Sequence, residues 1–385
     1  MKVMFYVQHL LGIGHLVRAS RIAVAFKAAG HEVTVVTGGG AVEGFPPAGI
    51  SKVQLPVVRT ADQGFSDLVR DDGTAVDEAF RQQRAQQLIA AFDAVKPDCL
   101  LIEAFPFARR QMRFELLPLL DHVYTAEAAE RAMVVSSVRD ILQPKGAERD
   151  LKTAEVVQRY FDLVLVHGQD LSSFQMTFSQ GAMIAGRLAC TGLVGPAPDG
   201  AASKDGEKFD VVVSAGGGVV GQTLLETAIA ARPLTPFADA RWLVVTGPNL
   251  DAAGFERLSK AAGGDVELRR FDPRLADHFV HASVAVSQAG YNTVADVLSA
   301  GCASVLVPFE GEAEKEQLLR AEALACEGRA EIVHESELDA VRLADAISRA
   351  AASAPALEPA RLDGAAETVR LVAARFAAFR RGQSA

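Results

Sequence analysis

The run Val284-Ala-Val-Ser-Gln-Ala-Gly290-Tyr-Asn-Thr293-Val-Ala-Asp296-Val-Leu-Ser-Ala-Gly301-Cys-Ala-Ser-Val-Leu-Val-Pro308, continued by Phe-Glu-Gly-Glu-Ala-Glu-Lys-Glu316-Gln317, decides the fold. It spells a short apolar strand, a tight glycine loop, a helix closed by Gly301, a second strand closed by Pro308 and a polar loop. Asn292 and Thr293 are the expected N-caps of that helix. Free N–H groups around Gly290 to Thr293 would point toward an anion. Asp296 follows about one turn later, where a carboxylate can accept from vicinal hydroxyls such as a ribose diol. A ligand would then present sugar to Asp296 and phosphate to the backbone. Glu316 and Gln317 supply a carboxylate and an amide, a pair suited to a polyhydroxylated ligand. An amphipathic helix with a charged outer face accounts for the same residues without any ligand.

The same strand, glycine loop and helix open both halves of the chain. Val3 to Val7 is an apolar run suited to a strand buried on both faces, and Leu16 to Ala29 has helical spacing before Gly30. Glu32 to Thr37 is the next strand, which makes a βαβ unit and implies parallel pairing. Further strands are expected at Cys99–Ile102, Met133–Ser136 and Leu163–Val166, with helices at Val76–Val95 and Leu151–Tyr160. The polar, glycine-containing stretch from Asp62 to Thr74 reads as a mobile loop. Residues 196–208 are rich in Pro, Gly, Ala and charge and read as a linker. A strand from Asp210 to Ser214, a glycine-rich turn and a helix from Gln222 to Arg232 then restart the pattern. Two doubly wound α/β domains with a cleft between them follow, with ligands expected beyond the carboxyl ends of the strands. The boundaries read as 1–198 for the first domain, 199–208 for the linker and 209–360 for the second. A last helical stretch, 361–385, is Ala- and Arg-rich and is a candidate to pack back on the first domain.

Composition narrows the function classes. The 385 residues, 49% hydrophobic, are enough for two cores, and the net charge of −9 argues against a nucleic-acid partner. The four cysteines, Cys99, Cys190, Cys302 and Cys326, form no CxxC pair and read as small buried hydrophobes in a reducing, cytoplasmic setting. The apolar N-terminus reads as a first strand rather than a signal peptide, and no run of about 18 apolar residues suggests a membrane span.

The glycine loops bound the chemistry further. Gln8-His-Leu-Leu-Gly12-Ile-Gly14-His15 begins like a dinucleotide fingerprint, but Val17 stands where the third glycine belongs, and Gly38-Gly39-Gly40 replaces the acidic residue after the second strand. Ser214-Ala-Gly216-Gly217-Gly218 lacks the Lys-Ser or Lys-Thr of a phosphate-binding P-loop, yet can still form a nest of N–H donors. His15 falls at the start of a helix, whose positive end keeps an imidazole neutral, as a general base must be. Glu103 and Asp140 fall after strands and are second choices for a base; a surface ion pair with Arg109 or Arg139 reads equally well. Phe105-Pro-Phe-Ala-Arg109-Arg110-Gln-Met-Arg113 mixes aromatics with arginines. It reads as a helix with a solvated basic face, or as a peripheral contact with a membrane or a phosphate-bearing acceptor.

The run from Ser287 to Gln317, with the glycine loop at Ser214 and the Gly-Ile-Gly-His loop, resembles the nucleotide-sugar signature of GT-B glycosyltransferases, closest to the MurG-like family 28. Between Gln54 and Ala189 little specific similarity is seen. The resemblance implies that Gln288, Gly290, Asn292 and Thr293 lie at the diphosphate and that Asp296 takes the ribose, where the family usually has Glu. It implies that the backbone of Phe271 reads uracil and that Glu316 and Gln317 bind donor-sugar hydroxyls. Gly14, Gly217 and Gly218 would line the glycine loops, and His15 would be base or phosphate contact. The implied reaction moves a sugar from a nucleotide diphosphate sugar, UDP first, to an acceptor hydroxyl with inversion. No Asp-x-Asp motif sits in a suitable loop, so no metal and no further cofactor is expected. A sugar-nucleotide epimerase and a non-catalytic nucleotide-sugar sensor are the alternatives on the same fold. The resemblance leaves the acceptor, the sugar and the oligomeric state open.

Overall fold

A computed structural model describes residues 1–10, 12–60, 68–127, 130–196, 207–217, 221–247, 249–311, 315–353 and 362–383. The chain divides into two compact units, Met1–Val194 with Asp363–Ala385, and Gly195–Leu362.

In the first unit, β1 (Lys2–Val7), α1 (Gly14–Ala28), β2 (Glu32–Thr37) and β3 (Ser51–Gln54) open the chain. A short antiparallel pair, β4 (Val58–Thr60) and β5 (Leu68–Arg70), leads to α2 (Glu78–Val95). Then come β6 (Cys99–Glu103), α3 (Arg113–Val123), β7 (Met133–Arg139), α4 (Ala147–Tyr160), β8 (Leu163–His167), α5 (Ser172–Thr177) and β9 (Leu188–Cys190). The main sheet runs β3-β2-β1-β6-β7-β8-β9, parallel throughout. Successive residues of β1 bury on opposite faces: Met4 and Tyr6 join one core with Leu100 and Ile102, and Val3, Phe5 and Val7 join the other with Leu101. That two-sided burial is why these strands read as continuous apolar runs.

The second unit contains β10 (Val211–Ser214), α6 (Gln222–Ala231), β11 (Trp242–Val245), α7 (Ala252–Ala262), β12 (Val266–Arg269) and α8 (Leu275–His281). It continues through β13 (Val284–Ser287), α9 (Tyr291–Ala300), β14 (Ala303–Leu306), α10 (Glu316–Cys326), β15 (Glu331–Ile332) and α11 (Ala340–Ser353). Its sheet runs β12-β11-β10-β13-β14-β15, again all parallel. The last helix, α12 (Gly364–Gln383), belongs to the first unit, where Val369 and Val372 are buried in the core that also takes Phe26 of α1.

Three expectations change. Leu68–Arg70 is a strand, not loop, because Val58, Thr60 and Leu68 bury as the ladder forms; residues 61–67 lie outside the described ones. Helix α9 starts at Tyr291 and is capped by Gly290 in extended geometry, not by Asn292 or Thr293, which already lie in its first turn. The end of the supposed linker is anchored to the second unit: Glu207 ion-pairs with Arg269, and the Lys208 carbonyl accepts from Arg241 Nη1 at 3.1 Å, because these cations need acceptors; residues 199–206 lie outside the described ones.

Gly38 has a physical reason. A Cβ there would overlap the guanidinium of Arg84, which is fully buried and pairs with Glu115. Arg84 Nη2 also donates to Gln8 Oε1 at 2.7 Å, Nη1 donates to the Gly38 carbonyl at 3.3 Å, and Tyr6 donates its hydroxyl to Glu115. Removing one partner of such a pair strands the other charge in the core. Arg84→Ala is expected to destabilise the first unit by about 3–5 kcal/mol, read as a lower urea midpoint with an unchanged m-value.

Candidate functional site

In the first sheet the strand order reverses between β1 and β6, so the loops leaving these two strands diverge at their carboxyl ends, where open parallel sheets bind ligands. His15, in the first turn of α1, and Glu103, the last residue of β6, meet there, with His15 Nδ1 2.9 Å from Glu103 Oε1. Arg18, one turn further along α1, ion-pairs with the same oxygen. On the neighbouring strand Ser137 stands in register with Glu103 and donates its hydroxyl to Oε2 at 2.6 Å. His167 Nε2, at the end of β8, lies 2.8 Å from that hydroxyl.

Electrostatics assign the protons. Burial alone would raise the Glu103 carboxyl, but the Arg18 guanidinium and the hydrogen bonds from His15 and Ser137 hold it well below the usual carboxylate range. An ionised carboxylate only accepts, so His15 Nδ1 carries the hydrogen and Nε2 keeps the lone pair. Burial and the nearby Arg109 charge lower the His15 pKa to about 3, against the pull of Glu103. A neutral imidazole with a fixed tautomer is what a general base requires. The side chain remains 19% exposed, so it is not sealed in the core.

The loop carrying His15 is anchored from behind. Arg109 Nε donates to the Gln8 carbonyl at 2.9 Å, and Gln8 Nε2 donates to the His9 carbonyl at 2.7 Å. Ala104, directly after Glu103, and Arg109 both have left-handed backbone (φ 65° and 58°), a cost that tends to be retained near functional groups. Asp140 turns the chain out of β7 by accepting from Ile141 N at 2.9 Å. Gly14 is the first residue of α1.

In the second sheet the order reverses between β10 and β13. Ser214 and Gln288, the residues at those two strand ends, are joined by a bond from Gln288 N to the Ser214 carbonyl at 3.4 Å. A Cβ on Gly221 would stand 3.2 Å from the Gln288 amide, so the two glycine turns pack against one another. Gly290 caps α9 in extended geometry, so the helix opens directly after the turn that leaves β13. Asp296 lies half-buried in the second turn. Gly217 accepts from Asn249 Nδ2 at 2.8 Å; Gly218 lies outside the described residues. Phe271 follows β12 with 51% of its surface exposed, while the next residue, Asp272, is buried. Asp272 accepts from Arg274 N at 2.8 Å, lies 3.0 Å from His278 Nε2 and pairs with Arg269, which fixes the turn.

Glu316 and Gln317 open α10, but not as a bare sugar-binding pair. Arg320 Nη2 reaches Glu316 Oε1 at 2.9 Å, and Arg320 Nη1 donates to the Ala289 carbonyl at 2.8 Å. Gln317 Oε1 accepts from Phe309 N at 3.2 Å. Arg320 therefore ties the start of α10 to the turn before α9. Sequence reasoning missed Arg320, Arg18, Ser137 and His167. Arg18 had a signal, since it sits three residues after His15 on one helix face. Arg320 had one too, four residues after Glu316 on one helix face, whereas Ser137 and His167 are joined to their partners only by strand register and packing.

This architecture is the GT-B fold. The crystal structure of Acinetobacter baumannii MurG superimposes with a TM-score of 0.60 at 16% identity, over 97% of this chain and 100% of that one. A structure of Phytolacca americana UGT2 complexed with UDP-2fluoro-glucose and pterostilbene gives 0.61 at 11% identity, over 98% and 99%. Within that fold, residues 211–376 match the glycosyltransferase family 28 C-terminal domain. The chain is 34% identical over 128 residues to the UDP-N-acetylglucosamine--N-acetylmuramyl-(pentapeptide) pyrophosphoryl-undecaprenol N-acetylglucosamine transferase of Burkholderia thailandensis, 33% of this chain and 34% of that one. It is 32% identical over 172 residues to the protein of the same name from Brucella anthropi, 44% of each chain. The similarity thus spans less than half the length of these relatives.

Three histidines of the first unit are held neutral, with pKa values of about 4 for His9 and about 3 for His15 and His167, each lowered first by burial. The unfolded chain takes up protons on them near 6.5 and the folded chain does not, so stability falls as pH drops from about 6.5 toward 4. Urea unfolding of His167→Asn should lose about 2 kcal/mol less between pH 7 and pH 5 than the parent chain.

Proposed function

We propose that the protein is an inverting glycosyltransferase that moves a sugar from a nucleotide diphosphate sugar, a UDP-sugar by preference, to an acceptor hydroxyl. The observation that carries this reading is the neutral His15 imidazole, tautomer-fixed by Glu103 at 2.9 Å. The curated relatives are named for transfer of N-acetylglucosamine from its UDP conjugate to an undecaprenol-linked acceptor, which supports the donor class.

In the proposed step His15 Nε2 takes the proton of the acceptor hydroxyl. The resulting oxygen attacks the anomeric carbon as the bond to the diphosphate oxygen breaks, and the ring passes through an oxocarbenium-like state. A single displacement inverts the anomeric centre. The departing diphosphate gains negative charge, which the first-turn N–H groups of α9 and its dipole stabilise without reorganisation. Asp296 takes the ribose hydroxyls, and the backbone at Phe271 takes the base. Gln317 binds donor-sugar hydroxyls, with Glu316 held in place by Arg320. The step needs no metal. The acceptor is a glycan, a lipid or a small molecule, met in the cytoplasm, with a peripheral membrane contact where it is a lipid. Among the described residues no helix is long and apolar enough to cross a membrane.

UDP is expected to raise the melting temperature of the parent chain, and Asp296→Ala to abolish that rise. His15→Ala should keep the UDP response while lowering kcat about 10²–10⁴-fold. Transfer should survive EDTA and give product of inverted anomeric configuration by NMR. Retained configuration, or no response to any nucleotide, would refute the reading.

A further inference from the structure

The second oxygen of the Glu103 carboxylate is held by groups that the proposed reaction never uses. Ser137, His167 and Thr191 are all buried, and they continue the hydrogen-bonded line inward from His15. Ser137 Oγ reaches Glu103 Oε2 at 2.6 Å, His167 Nε2 reaches Ser137 Oγ at 2.8 Å, and Thr191 Oγ1 reaches His167 Nδ1 at 2.8 Å. Three adjacent strand ends and the residue after β9 supply these groups, so the line crosses the sheet rather than following one loop.

Proton bookkeeping along the line has one consistent solution. Glu103 is ionised and only accepts, so the Ser137 hydroxyl must give its single hydrogen to Oε2. His167 must then donate from Nε2, since a lone pair there would face the Ser137 oxygen with no hydrogen between them. His167 is neutral, so its Nδ1 carries a lone pair and takes the Thr191 hydroxyl hydrogen in preference to the Gly192 carbonyl, which lies 2.7 Å from the same hydroxyl. Every hydrogen points toward Glu103, and the carboxylate in turn fixes the hydrogen of His15 on Nδ1. Because Thr191 is itself buried, the line has no solvent at its inner end to which a proton could pass. Its work is orientation, not transport.

We propose that Ser137, His167 and Thr191 are positioning residues that lock the Glu103 carboxylate and thereby hold His15 in the Nδ1–H tautomer, with Nε2 available as base. The proposal rests on the reading of His15 as the base of the transfer. Without the Ser137 hydroxyl, Oε2 loses its donor and the carboxylate can swing about its last torsion. Oε1 then leaves the line of the His15 Nδ1–H bond, and the two imidazole tautomers approach equal energy.

The test is the long-range ¹H–¹⁵N spectrum of the imidazoles in the full, ¹⁵N-labelled chain, together with steady-state kinetics. The parent protein should show His15 as Nδ1–H and His167 as Nε2–H. In Ser137→Ala the His15 nitrogens should move toward tautomer-averaged shifts, and kcat should fall about 10- to 100-fold while KM for the UDP-sugar stays within about twofold. Thr191→Val should shift both readouts in the same direction, and Thr191→Ser, which keeps the hydroxyl, should restore them. A parent His167 in the Nδ1–H form, or an unchanged His15 spectrum in both Ser137→Ala and Thr191→Val, overturns the proposal. Should Ser137→Ala not fold, the Thr191 pair decides alone. The spectra need no turnover, so a protein that transferred no sugar would refute the transferase reading and still leave the relay decided.

Discussion

A negative charge buried at the end of a β-strand is costly unless several donors meet it, and the first unit is arranged around that demand at Glu103. One carboxylate gathers Arg18 and His15 from α1, and Ser137 from β7. Because two of those donors lie one turn apart on the same helix, the carboxylate also sets the rotation of α1 about its axis. Leu16, Ala19, Ile22, Ala23 and Phe26 then fall on the opposite side, against the sheet. Charge compensation and core packing select the same helix orientation, which is the agreement between levels that a well-specified fold shows.

The two units place contrasting chemistry at equivalent topological positions. At the β1/β6 reversal, side chains dominate, and they include a buried carboxylate, a guanidinium and an imidazole. At the β10/β13 reversal, backbone dominates, with Gly290 opening α9 and Gln288 packed under Gly221. Side chains with tuned protonation suit proton transfer, while a helix start suits an anion that must be held without proton exchange. Arg320 neutralises Glu316, and its bond to the Ala289 carbonyl couples the position of that carboxylate to the turn before α9. A substitution at Glu316 would therefore disturb the α9 turn as well as its own surroundings.

The fold was legible in the sequence because parallel strands buried on both faces leave long apolar runs, and glycine marks their exits. β2 was placed to the residue, and the strand beginning at Cys99 missed only its last residue, Glu103. That residue ends the apolar run because it is a carboxylate met by Arg18, His15 and Ser137, so the pattern fails where a buried charge begins. Leu68–Arg70 was illegible, since three residues without alternation carry no period. The caps of α9 were misassigned because Asn292 and Thr293 have the right chemistry two and three residues too late, once Gly290 has already turned the chain. His15 and Glu103 could each be singled out, yet nothing in a linear reading joins them across 88 positions. Ser137 and His167 left no trace at all, because their roles come from register and burial.

The glycines after β2 show how a motif can mislead in the other direction. Gly38-Gly39-Gly40 stands where a dinucleotide fingerprint has its acidic residue, and two of its members are explained by neighbours within the same unit. Gly38 makes room for the Arg84 guanidinium and Gly39 for the His9 imidazole, each where a Cβ would overlap the ring or fork. Arg84 in turn holds Gln8, and Gln8 holds the His9 carbonyl, so the glycines serve the placement of the β1 loop. Backbone without side chains is needed there because two large polar groups must pass close to β2 to keep that loop fixed. The requirement is for space, and the same sequence pattern that elsewhere admits a phosphate here admits an arginine. Glu103 and Arg84 thus reach His15 from opposite ends of its loop, one through the imidazole and the other through Gln8, and His15 stands between two buried ion pairs.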